Sequence, residues 1–160
     1  MHRFALVVPL ALIVVLASSC SSSGPSSSSN ALPGHGAISI SIVPNPILAT
    51  KAPGDQYDFP FEVVVRETGG HPVTVNRVSA DVKALGGIPV ASERYDAARI
   101  AALGYSTTIA ANGELRYRFN PRKSVPDDRL FGNVTADLTV DGTDDTGTPT
   151  QARTRVTVER

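Results

Sequence analysis

Apolar residues at every second position run through most of this chain, and that spacing constrains the fold more than any other feature. Successive side chains of a strand point to opposite faces, so an apolar stripe of period two describes a strand with one buried face. Ile38, Ile40 and Ile42 alternate with Ser39 and Ser41, and Val43-Pro44-Asn45-Pro46 ends that run. Tyr57, Phe59, Phe61, Val63 and Val65 form the next stripe. Pro60 within it predicts an edge or a bulge, because proline cannot donate to a ladder. Val73 and Val75 resume the alternation, which then changes phase to Val78, Ala80, Val82 and Ala84, predicting a bulge near Asn76-Arg77. Ile88 to Ala91 reads as a short strand after Gly86-Gly87. Leu115, Tyr117 and Phe119 follow the Asn112-Gly113 turn, and Val134, Ala136, Leu138 and Val140 form a further stripe. Ala152, Val156 and Val158 form the last. The one helical signal is Asp96 to Gly104, two turns with Asp96 as N-cap and Gly104 closing the end.

About seven strands, turns between them and one short crossover helix predict an all-β protein, an antiparallel β-sandwich. The segment Glu67-Thr68-Gly69-Gly70-His71-Pro72-Val73-Thr74-Val75 resembles the B–C hairpin of bacterial immunoglobulin-like domains. That resemblance implies an Ig-like β-sandwich. The Cys…Trp…Cys hallmark of antibody domains is absent, since the chain has one Cys and no Trp. A small Greek-key barrel is the competing architecture. In the last two strands, a common core for both apolar stripes requires even-numbered residues to face even-numbered ones. Asp137 then meets Arg155 or Arg153 on the outer face.

The N-terminus carries an address. Met1-His2-Arg3 is a basic start, and Phe4 to Ala17 follows without a charge. That run is shorter than the roughly 20 residues a membrane-spanning helix needs and has the length of a signal-peptide core. Leu16-Ala17-Ser18-Ser19-Cys20 resembles the lipobox of bacterial lipoproteins, with Leu16 one place further from the cysteine than the family prefers. The resemblance implies that Cys20 is alkylated with diacylglycerol, that cleavage falls just before it, and that the new N-terminus is acylated. Lipidation also removes the hazard of an unpaired thiol in an exported protein. The expected organisation is a signal peptide over residues 1–19, a Ser/Gly/Pro-rich flexible tether over 20–36, and the β-sandwich over 37–160. The expected location is the cell membrane or outer membrane, lipid-anchored, facing the periplasm or the exterior.

Without Arg3 the chain holds 14 basic and 15 acidic side chains, so no basic excess points to nucleic acid. Among candidate sites, Asp141, Asp144 and Asp145 are three carboxylates within five residues and form the candidate calcium loop, although the spacing is not that of an EF-hand. Turn chemistry explains the same residues. Tyr95, Tyr105, Arg116 and Arg118 are candidate binding residues, two aromatics flanking the helix and two cations beginning a basic run that continues to Arg122 and Lys123. Pairing with Glu62 across the sheet is the competing role for Arg116 and Arg118. Asp127 and Asp128 form an acidic turn. His35 and His71 lie in tether and turn, and no nucleophile elbow is present, so no catalytic group and no cofactor are expected. These readings converge on a lipid-anchored, non-enzymatic envelope module whose partner is another envelope protein. A small-ligand or glycan-binding lipoprotein is the alternative, and it requires a concave apolar pocket with a few polar groups.

Overall fold

The computed structural model describes residues 27–28, 32–125 and 127–160, so the expected signal peptide and Cys20 lie outside the described residues. The strands are β1 (Ser27–Ser28), β2 (Ile38–Val43), β3 (Ile47–Leu48), β4 (Thr50–Lys51), β5 (Gln56–Asp58), β6 (Phe61–Glu67) and β7 (Val73–Lys83). There follow β8 (Pro89–Asp96), helix α1 (Ala97–Ala102), β9 (Thr108–Ile109), β10 (Glu114–Phe119), β11 (Arg122–Ser124), β12 (Val134–Asp144) and β13 (Pro149–Glu159). Seven of these strands have six or more residues, and all but β8 match the stripes read from the sequence. The others are two or three residues long.

Two sheets pack face to face. One has the order β1-β2-β6-β10, the other β3-β13-β12-β7-β8 with β9 also on β7. All pairings are antiparallel except the short β3 on β13. The inner stripes meet in one core in which Ile38, Val63, Val65, Val73, Val75 and Val140 are fully buried. A third, small sheet, β11-β5-β4, covers one end. This is the antiparallel sandwich expected of the alternation. Tyr57 left the β6 stripe for that small sheet, because the ladder breaks at Phe59-Pro60.

Details of the alternation hold in the register. Asp141 pairs with Arg77 and Gly142 with Val75, so Asn76 is the extra residue of a bulge where the phase changes. Asp137 faces Arg155, with Val156 buried and Arg155 exposed. Asp96 Oδ1 accepts from Arg99 N at 2.8 Å, and Gly104 takes φ 85°, so both ends of the helix close as expected. Two expectations fail. The Glu67–Val75 segment is not a hairpin: β6 and β7 belong to opposite sheets, and the turn carries the chain from one to the other. The strand near Ile88 is also longer than expected, running over Pro89–Asp96 as an edge strand. Its inward residues Glu93 and Tyr95 are polar or amphipathic, so no apolar stripe announced it.

The sandwich has two distinct ends. The tether end gathers the start of β2, the β6–β7 turn and the β12–β13 turn. The far end gathers the β7–β8 turn, the start of β12 and the end of β13.

Candidate functional site

At the tether end, two carboxylates are buried among backbone amides. Asp144 Oδ1 accepts from Thr146 N at 3.0 Å, Thr146 Oγ1 at 2.7 Å and Thr148 N at 2.7 Å. Its Oδ2 accepts from Gly36 N at 2.9 Å and lies 3.3 Å from His35 Nδ1. Burial pushes this carboxyl up, but the Thr146 hydroxyl and the amides of Gly36, Thr148 and Thr146 outweigh it and hold Asp144 well below the usual carboxylate range. Glu67 is built alike. Its Oε1 accepts from Ala37 N at 3.1 Å and Gly69 N at 2.6 Å, its Oε2 from Gly70 N at 3.0 Å and Asn112 N at 2.8 Å. Burial raises its carboxyl, and the four amides, Asn112 first, more than reverse that. His35 and Gly36, expected in the tether, thus lie against the β12–β13 turn. Gly69 is fixed by space: a Cβ there would stand 2.2 Å from His35 O.

The candidate calcium loop is spent on these tasks. Asp141 accepts from Arg77 at 2.7 and 2.9 Å and from Gln151 at 2.5 Å, Asp144 serves amides, and Asp145 lies 3.2 Å from His71 Nδ1. Among the described residues, no three His, Cys, Asp or Glu side chains come together as a metal site. Arg116 and Arg118 reach Glu62 at 2.7 and 3.0 Å, and Arg116 also meets Glu114 at 2.6 Å. Tyr105 Oη donates to Arg118 O at 3.2 Å, and its ring stands edge-on to Tyr117. Asp127 caps a short 3₁₀ turn through Arg129 N at 2.9 Å, while Asp128 takes Tyr57 Oη and pairs with Arg160.

The far end is different. Between the inner face of β7, β8 and β12 and the small sheet lies a cavity of about 410 Å³, within the roughly 300–1,000 Å³ of small-molecule sites. Ala80, Val82, Ala91, Tyr95, Ala136 and Leu138 form one wall, and Phe59, Phe61, Phe119 and Phe131 stand opposite. The rings support one another: Tyr95–Phe119 centroids are 4.6 Å apart, Phe61–Phe119 5.5 Å and Phe59–Phe131 6.3 Å. Arg99 covers the Tyr95 ring at 4.1 Å.

The space has a local origin. Inward positions of β7 and β12 carry Val73, Val75, Val78 and Val140 toward the tether end, whereas toward the far end Ala80 and Ala136 alternate with Val82, Leu138 and Val134. Ala84 and Ala91 add two more small side chains to the lining. Protein interiors pack with few voids larger than a water molecule, so an apolar space of this size is not ordinary slack.

Two charged side chains face it among the described residues. Lys123 on β11 and Glu93 on β8 pair across the opening between two edge strands that share no ladder, their side chains 44% and 27% exposed. Val90 in the lining is 57% exposed, and Leu85 and Ile88 in the β7–β8 connection are 69% and 62% exposed. Of the four candidate binding residues, the structure brings only Tyr95 to the cavity.

No family model matches the chain. No curated protein sequence matches it either. Solved structures do resemble its fold. A structural-genomics target, SoR45, superposes with TM-score 0.51 at 12% identity, covering 80% of this chain and 90% of its own. A Bordetella pertussis protein with the provisional name ApaA gives TM-score 0.56 at 17% identity, covering 81% and 99%. At such identities the likeness concerns the fold alone.

Sequence reasoning missed Glu93 entirely and met Lys123 only as the end of a basic run. The available signal was negative: alanines where a packed stripe would hold larger side chains.

Proposed function

We propose that this chain is a lipid-anchored, non-enzymatic cell-envelope module whose sandwich binds a small apolar ligand. The cavity at the far end carries this reading, because it is apolar, backed by aromatic rings on one side and marked by one ion pair. The lipobox at Cys20 supplies the anchor. Among the described residues, no helix is long and apolar enough to cross a membrane.

The ligand reading is tested with N-phenyl-1-naphthylamine, an uncharged fluorophore. The expected result is saturable binding with one site per chain, lost in Ala136→Phe and in Ala80→Phe, which fill the space. Unsaturable binding, or binding untouched by both variants, overturns it. The anchor is tested separately: Cys20→Ser should abolish incorporation of labelled palmitate and move the protein to the soluble fraction. A variant that remains membrane-bound places the anchor elsewhere.

One observation favours a second reading, docking of another envelope protein. Leu85, Ile88 and Val90 are exposed large apolar side chains within six residues of one another in sequence. A single stoichiometric partner released by Ile88→Ser, with no apolar probe bound, would decide for it.

A further inference from the structure

We infer that the ligand is an uncharged amphiphile: one apolar chain in the cavity and a head that both accepts and donates hydrogen bonds, seated on the Lys123–Glu93 pair. This rests on the apolar-ligand reading above and names the chemistry of that site.

The lining decides the chain. Apart from the ion pair and a few hydroxyls, the walls offer aliphatic and aromatic carbon. Each methylene buried there tightens binding about fourfold, the equivalent of about 0.8 kcal/mol.

The ion pair decides the head. Lys123 offers only donors and Glu93 only acceptors, and both are partly buried between β11 and β8. Together they sum to no charge. An ionised head entering beside them would leave water for apolar walls, attracted by one member and repelled by the other. A hydroxyl or amide meets both at once, accepting from the ammonium and donating to the carboxylate, with the pair left intact. A glycerol monoester of a fatty acid has this form.

The experiment uses the full chain carrying Cys20→Ser in detergent-free buffer, with bound N-phenyl-1-naphthylamine as reporter. Three amphiphiles of equal chain length compete for it as monomers: monomyristoylglycerol, myristate and tetradecylamine. On the parent chain the glycerol ester should displace the probe at roughly tenfold lower concentration than either ion, the scale of one hydrogen-bonded charge left poorly matched. Glu93→Gln frees the ammonium and should move myristate to the front. Lys123→Met frees the carboxylate and should move tetradecylamine to the front. A purely structural ion pair predicts no such inversion.

An ion ahead on the parent chain overturns the head assignment, as does an unchanged order in both variants. Probe binding then still supports the cavity. Absence of saturable probe binding on the parent chain overturns the cavity reading and this inference together. Should a variant fail to melt cooperatively, the parent ranking and the other variant decide.

Discussion

The two ends of the sandwich solve the same problem in opposite ways. Each must close the gap where two sheets stop. At the tether end the gap is filled by polar groups that satisfy one another: Glu67 and Asp144 are buried, and each gathers backbone amides from separate segments. At the far end the gap holds aromatic rings, alanines and a space of about 410 Å³. A charge buried among amides fixes its surroundings, because moving any one partner strands a desolvated group. An apolar space makes no such demand, and its contents can be exchanged. Rigidity at one end and open space at the other therefore follow from which side chains face inward.

The largest expected effect lies at the tether end. Glu67→Ala removes the acceptor of four amides, those of Ala37, Gly69, Gly70 and Asn112, and should lower unfolding stability by about 3 kcal/mol or more in denaturant titration. Loss below about 1 kcal/mol would mean that water replaces the carboxylate, and the contrast between the ends would weaken. Acid should act there too. Glu67 and Asp144 titrate below their ordinary 4.5 and 3.8 in the folded protein. Their stabilisation is thus present above those values and is lost as pH falls through the lower, folded ones. Melting temperature should decline steadily below pH 4.5, and more gently in Glu67→Gln. A flat profile to pH 3 would break this account.

Matched truncations compare the two halves of one strand at smaller magnitude. Val75→Ala opens a hole in a close-packed region, where the residue is fully buried, and should destabilise by about 2–3 kcal/mol. Val82→Ala enlarges a space that already exists, so the change should stay below about 1 kcal/mol. Equal losses would mean that the cavity is packed shut in solution.

The smallest effect is expected on the outer face. Arg155 pairs with Asp137 at 2.6 and 3.1 Å, and that bond, together with one from Lys83, lowers the Asp137 carboxyl to about 2. The pair is exposed, so Arg155→Ala should leave the denaturation midpoint nearly unchanged. A shift as large as that of Val82→Ala would show that surface pairing contributes to holding β12 and β13.

The contrast was only half legible in the sequence. Alternation set out six of the seven long strands and the bulge at Asn76, because burial of one face acts locally on every second residue, and the helix was marked by its caps Asp96 and Gly104. The parity of the last hairpin set Asp137 against an arginine, and the coordinates chose Arg155. Asp144 was visible only as a turn residue or a calcium candidate, since its amide partners include Gly36, 108 residues away in sequence. Glu67 had no signal at all: an acid at the end of an apolar strand reads as a strand terminus. The cavity was hidden for a different reason. Ala80, Ala84, Ala91 and Ala136 keep the alternation intact while removing volume, and period alone does not weigh side-chain size. β8 was read too short, as Ile88 to Ala91, because its inward residues Glu93 and Tyr95 serve that space rather than a core.

One feature of the tether end bears on mechanics. β2 begins at Ile38, directly after the clasped Gly36 and Ala37, and runs away from that end along the six-residue ladder it shares with β6. Tension applied at Gly36 would act along the strand axis. The rungs of the ladder would then be sheared together rather than peeled one at a time, and the amides on Glu67 and Asp144 would take the strain before the first rung. Strain applied at that point would thus meet the two carboxylate clasps before it met the sheet.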